Sequence, residues 1–294
     1  MSPKSPFVAL TLFLAALSPG CSGGPRPAVT AAAAAEPEPV AHTYRTIAGR
    51  NLPAYVFAPT GTRVRNAAIL LFHGGGWFAG DATWVFPAAQ RFSDLGLVAI
   101  AIEYRLSDEG TTPIDALDDT CAAFAWARSQ ARELGFDPQR VAGYGVSAGG
   151  HLAATAATIG CGNSDGRFGV GGPDALVLWS PAVDVASSGW FERLLQGKAL
   201  PADYSPVEHL GKLLPPTSIV QGTEDSVTRL AGARRFCTGV QESGELCALE
   251  EFPGLGHLLT RNLAHQEDDF DPDPVARAEG WKRQNEFLVR IWGR

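Results

Sequence analysis

Apolar residues along this chain collect into short continuous runs, and the stretches between them carry the wider spacing of helices. Ala67–Phe72, Leu97–Glu103, Arg140–Gly145, Ala175–Trp179, Ile219–Gly222 and Ala248–Phe252 are runs of the kind carried by strands buried on both faces. Ala82–Leu95, Pro113–Leu134 and the alanine-rich Ala148–Ile159 read as helices, the second stopping before Gly135. A further helix is expected between Val227 and Ala248. This alternation predicts an α/β architecture, a mostly parallel central sheet with helices on both faces. Ahead of it, His42–Ile47 and Leu52–Ala58 alternate around Gly49-Arg50-Asn51, which predicts an antiparallel hairpin at the sheet edge. Ser180–Leu214 has no clean period, yet Trp190, Phe191, Leu194 and Leu195 predict a short helix across the strand ends. That segment reads as a short lid, too small to be a domain of its own.

The N-terminus changes the picture of where the chain works. Lys4, an apolar run from Phe7 to Leu17 and then Ser18-Pro19-Gly20-Cys21 predict a signal peptide over residues 1–20. Cys21 after a small residue resembles a bacterial lipoprotein box, although Leu17 stands one place early and Pro19 is unusual beside the cut. The expectation is an exported protein anchored to the cell envelope through a lipidated Cys21; ordinary secretion or a periplasmic location is the alternative. Residues 21–40 are glycine, proline, alanine and glutamate without periodicity and predict a disordered tether, leaving 41–294 as one catalytic domain.

Composition adds little beyond this. With 45% hydrophobic residues among 294 the chain can bury a full core, and a net charge of −7 without any basic cluster gives no reason to expect nucleic acid as a partner. Apart from Cys21, the cysteines form an even set for an oxidising compartment. Cys121 and Cys161 lie on helices flanking one strand and Cys237 and Cys247 on a helix end and the next strand, which predicts two disulfides; buried free thiols are the alternative.

Candidate chemistry sits at the strand ends. Gly143-Tyr144-Gly145-Val146-Ser147-Ala148-Gly149-Gly150 places Ser147 at a strand-to-helix turn, the pattern of a nucleophile held above a sheet with the Ala148 N–H free to donate. His73-Gly74-Gly75-Gly76-Trp77 follows another buried strand, and Gly74 and Gly75 supply further backbone donors for an oxyanion, each worth roughly 3 kcal/mol of transition-state stabilisation. Asp225 after one strand and His257 after the next complete the set: His257 takes the proton of Ser147, and Asp225 orients and supports the imidazole. Glu224 and, more distantly, Asp184 compete with Asp225. Among six histidines, His42 precedes the fold, His73 shapes the glycine loop, His151 lies on the nucleophile helix, and His265 stands in an acidic, solvated stretch. Trp77 is read as substrate-binding, with core cover as its rival role. Arg105 is expected to pair with the acids Asp115, Asp118 and Asp119 that open the long helix. No His, Cys and Glu set has metal-ligand spacing, so no metal or cofactor is expected.

Taken together, His73–Trp77, Glu103-Tyr104-Arg105-Leu106, Gly145–Gly150, Pro215-Pro216 leading into Gly222–Val227, and Gly256-His257 resemble the bacterial carboxylesterases near hormone-sensitive lipase. The similarity is greatest to the acetylxylan and feruloyl esterase-like group, which includes kynurenine formamidase-like members, and it spans roughly residues 42–294. The resemblance implies an α/β-hydrolase fold and a cofactor-free serine hydrolase acting through an acyl-enzyme on short-chain acyl esters, acetyl- or aryl-type, as small-molecule substrates. It also implies a more open site than in hormone-sensitive lipase relatives, whose N-terminal cap is larger. A formamidase or amidase using the same triad, and a non-catalytic ligand-binding relative, are the other readings.

Overall fold

The computed structural model describes residues 38–161, 171–211 and 213–293. The expected signal peptide, Cys21 and nearly all of the expected tether lie outside the described residues.

Eight strands form one sheet in the order β1-β2-β4-β3-β5-β6-β7-β8. β1 (Val40–Ile47) and β2 (Arg50–Phe57) make the antiparallel edge hairpin, and β2 joins β4 (Val98–Ile102) antiparallel. From β4 through β3 (Ala68–Phe72), β5 (Val141–Val146), β6 (Ala175–Trp179), β7 (Thr217–Gly222) and β8 (Cys247–Phe252) every pairing is parallel. Alternation along the strands sorts side chains into two cores. Leu70, Phe72, Ile100, Leu176, Leu178 and Ile219 face α2 (Pro113–Leu134), α3 (Ala148–Thr158) and α5 (Leu230–Glu242). Ile69, Leu71, Ala99, Tyr144, Val177 and Val220 face α1 (Phe86–Leu95) and α6 (Pro274–Trp292). Both faces of the sheet are therefore covered, which is why its strands read as unbroken apolar runs.

Local chemistry sets the element ends. Asp115 accepts from the Thr112 N–H at 2.9 Å, Pro113 opens α2, and Gly135 closes it in the left-handed region. The expected helix from Ala82 divides into a 3-10 turn, Ala82–Val85, and α1, because Pro87 starts a new helical segment. No element is expected after His257, yet α6 is 19 residues long, capped by Asp273 through the Val275 and Ala276 N–H groups. The lid contains α4 (Gly189–Leu195) and two 3-10 turns, Pro201–Tyr204 and Pro206–Glu208. Arg105 pairs with Asp115 and with the fully buried Asp119, as its structural reading requires. Cys121 of α2 is bonded to Cys161 beyond α3, and Cys237 of α5 to Cys247 of β8, the two expected pairs. Among the described residues no helix is long and apolar enough to cross a membrane. All the predicted site residues follow the carboxyl ends of β3, β5, β7 and β8, the edge where an α/β sheet presents its ligands.

Candidate active site

Ser147 lies between β5 and α3 with φ 52° and ψ −114°, a conformation that costs a non-glycine residue strain and turns its side chain outward. Three backbone bonds hold it there, from its own N–H to the Trp179 carbonyl at 3.0 Å and from the His151 and Ala182 N–H groups to its carbonyl, each at 3.1 Å. The turn brings α3 so close to β3 that a Cβ on Gly149 would overlap the Phe72 carbonyl oxygen. The glycine is therefore a condition of the geometry.

His257 Nε2 stands 3.0 Å from Ser147 Oγ, and its Nδ1 stands 2.9 Å from Asp225 Oδ2. A carboxylate accepts only, so Nδ1 carries the proton and the Nε2 lone pair faces the serine hydroxyl. Asp225 also accepts at Oδ1 from the Val227 and Thr228 N–H groups, at 3.0 and 2.7 Å, and at Oδ2 from Gln221 Nε2 at 2.8 Å. Thr228 Oγ1 sits within 3.1 Å of Asp225 Oδ2, the Ser180 carbonyl and His257 Nδ1. Behind the imidazole, Gln266 Oε1 accepts from the His257 and Ser226 N–H groups, while its Nε2 donates to the Glu224 carbonyl. One side chain thus ties the acid loop to the base loop. Leu258 and Leu259 follow in the left-handed region, the first anchored by its N–H on Ser180 Oγ at 3.1 Å.

The rivals are elsewhere. Glu224 and Asp184 are exposed, His265 is a surface residue, and His42 packs near Trp126. His73 is buried and stacked on Tyr104, its Nδ1–H donating to the Gly74 carbonyl at 2.6 Å, and burial lowers its pKa. It shapes the loop, as the sequence suggests.

In that loop the Phe78 and Ala79 N–H groups both donate to the Gly75 carbonyl, and Gly75 adopts φ 105°, where a Cβ would overlap the Ala79 carbonyl. The N–H groups of Gly74, Gly75 and Ala148 donate to no acceptor among the described residues. A Cβ placed on Gly74 would lie 3.5 Å from the Ser147 Cβ, so this loop borders the nucleophile directly. Trp77 is only 5% exposed and packs on His151 and Phe191; of its two readings, burial favours core cover. Exposed rings are Phe78 and Trp190, 5.2 Å apart, and Phe270, 6.3 Å from His257. Among the described residues no group of three His, Cys, Asp or Glu side chains could hold a metal ion.

Gln221, Thr228, Ser180 and Gln266 have no role among the sequence-based expectations. A polar Gln221 ending an apolar run and the Asp225-x-x-Thr228 spacing of a side-chain-capped turn are signals for two of them. Gln266, set among acids, carries none.

Residues 69–261 match the model of a family described as alpha/beta hydrolase fold. Over 134 residues the chain is 33% identical to carboxylesterase NlhH of Mycobacterium tuberculosis, covering 45% of this chain and 40% of that protein. Over 209 residues it is 31% identical to the probable carboxylic ester hydrolase LipM of the same organism, covering 63% and 48%. The chain thus spans less than half the length of these curated relatives. Among solved structures, Thermogutta terrifontis esterase 2 in its butyrate-bound form superposes with a TM-score of 0.73 at 29% identity, covering 87% of this chain and 95% of that one. By its matched segment, its sheet and the order of its strand-end residues, this chain belongs to the alpha/beta hydrolase fold family.

Proposed function

We propose that this protein is a serine carboxylesterase that hydrolyses short-chain acyl esters, acetyl- or aryl-type, through an acyl-enzyme. The observation that carries the reading is the unbroken line from Asp225 Oδ2 to His257 Nδ1 and from His257 Nε2 to Ser147 Oγ, at 2.9 and 3.0 Å. Ser147 Oγ attacks the ester carbonyl carbon while its proton passes to His257 Nε2. The carbonyl oxygen becomes an oxyanion beside the free N–H groups of Gly74, Gly75 and Ala148. Collapse breaks the bond to the leaving alkoxide, which takes the proton from His257 and departs as the alcohol. Water, deprotonated by the same imidazole, then attacks the acyl-enzyme and releases the carboxylic acid and Ser147. Asp225 stays a carboxylate throughout, supporting the imidazolium as it forms. The butyrate bound by the Thermogutta esterase supports a short acyl group.

Export belongs to this reading. The two disulfides support an oxidising compartment, and the leader and Cys21 support a lipid anchor. Membrane fractionation of the wild type against Cys21→Ser tests the anchor: release of the variant alone supports it, and equal solubility removes it.

Hydrolysis of p-nitrophenyl acetate and butyrate by the purified protein, beside Ser147→Ala, tests the activity. Turnover abolished by the substitution, a loss on the order of 10⁶-fold in kcat, is the expected result. Equal and negligible rates in both proteins overturn the esterase reading.

A further inference from the structure

His151 is a titratable side chain buried to 1% exposure that the proposed chemistry does not use. It lies one helical turn after Ser147 and joins two segments from elsewhere in the chain. Trp77 Nε1 is 3.2 Å from its Nδ1, and its Nε2 is 2.7 Å from the Tyr204 carbonyl in the lid. An indole N–H can only donate and a carbonyl can only accept, so the ring is neutral, with its proton on Nε2. Burial agrees, pushing the imidazole pKa down to about 4. Phe191 of α4 closes over both rings, with its centroid 4.9 Å from each.

Trp77 is continuous in sequence with Gly74-Gly75-Gly76, and it adopts φ 67°, an uncommon conformation for a bulky residue that surrounding contacts must hold. The Ser107 N–H donates to its carbonyl at 2.7 Å, and the contact to its side-chain N–H is made by the same helix turn that begins at the nucleophile. A second indole, Trp190 Nε1, reaches the Gly76 carbonyl from the lid at 3.3 Å.

We propose that His151 is a positioning residue for ester hydrolysis, holding the Gly74–Trp77 loop in register with Ser147 by accepting from Trp77, while its other nitrogen fastens the lid at Tyr204. This rests on the esterase reading above. The path from Ser147 through one helical turn, the imidazole and the indole back to Gly74 and Gly75 closes a ring of contacts around the nucleophile and the oxyanion donors, added to the β3–β5 pairing of Phe72 with Gly145. A loosened loop misplaces donors that act only on the transition state, so the loss falls on kcat and not on KM.

The two nitrogens can be separated by substitution. In His151→Asn the amide oxygen replaces Nδ1 as acceptor for Trp77, whereas in His151→Gln the amide nitrogen replaces Nε2 as donor to Tyr204. Steady-state kinetics on p-nitrophenyl butyrate for the full chain are expected to show kcat lowered on the order of 10- to 100-fold in His151→Gln and in Trp77→Phe, with KM unchanged. His151→Asn is expected to recover most of kcat, and the His151→Gln/Trp77→Phe double variant to lose no more than either single one. Thermal melting of each variant identifies any that fail to fold; Trp77→Phe approaches the same contact from the other side and carries the test if His151→Gln does not fold. Hydrolysis that depends on Ser147 but keeps its kcat in both His151→Gln and Trp77→Phe overturns the positioning role alone. Absence of Ser147-dependent hydrolysis in the wild type overturns the esterase reading and this role with it.

Discussion

On the His257 side of Ser147 polar side chains hold one another, whereas on the Gly74 side rings and backbone do the holding. Asp225, Gln221, Thr228 and Gln266 form a network in which nearly every donor near the imidazole has an acceptor. Across the nucleophile, Gly74, Gly75 and Ala148 keep free N–H groups, and their loop is steadied by Trp77, His151, Phe191 and Trp190. Under the proposed chemistry, the difference follows from what each side must do. A base needs one orientation before substrate arrives, so its partners are present permanently; oxyanion donors must stay unpaired until charge develops, so only what lies behind them can be fastened.

The largest expected effect breaks the polar side. Asp225→Asn keeps the shape but turns an acceptor of several donors into a group that itself donates, and kcat on p-nitrophenyl butyrate is expected to fall on the order of 10⁴-fold. A loss under tenfold would assign the acid role to another carboxylate, with Glu224 tested next.

Each side also carries one disulfide. Cys121–Cys161 closes a 40-residue separation behind the nucleophile helix, and Cys237–Cys247 closes 10 residues between α5 and β8 on the acid–base side. Paired Cys→Ser variants in denaturant unfolding are expected to lose about 4 and about 3 kcal/mol respectively, because the longer loop constrains the unfolded chain more. A reversed order would show that native packing, and not loop length, sets the contribution.

Protonation sharpens the contrast from the ring side. His151 has an ordinary value of 6.5 unfolded and about 4 in the folded protein. Between those values the unfolded chain binds the extra proton, so its contribution is complete above pH 6.5 and is lost as the pH falls to 4. Relative to His151→Gln, the wild type is expected to lose roughly 3 kcal/mol across that window. Parallel stability curves for the two proteins would remove the buried neutral imidazole from the account.

The smallest effect concerns Thr228. Thr228→Val preserves the shape but deletes the hydroxyl beside Asp225, Ser180 and His257, for an expected kcat loss of roughly tenfold. An unchanged kcat would mean that Gln221 and the backbone donors orient Asp225 unaided.

Much of this arrangement is legible in the sequence. Buried parallel strands read as apolar runs, so each candidate residue is located by the run it follows: Gly74 and Gly75 after β3, Ser147 after β5, Asp225 after β7, His257 after β8. The cysteine pairs were legible for a related reason, since neighbouring crossovers bring their helices together. α6 was not assigned, although Asp273-Pro274 is a serviceable start signal and Trp281, Phe287 and Leu288 supply its buried face. Trp77 was legible as important but not in kind, because a tryptophan beside a glycine loop gives no sign of which way its ring turns.

By itself the sequence determined what acts over a few residues: which runs become strands, where Ser147 must turn, and which glycines permit close approach. Those outcomes come from side-chain periodicity and backbone sterics, both local. Only the tertiary structure decided which distant groups meet, His257 with Ser147 across 110 positions, Trp77 with His151 across 74, and Gln266 with Ser226 across 40. Such contacts depend on strand order and on burial, which removes water as a competing partner and leaves a donor only the acceptors that packing brings to it.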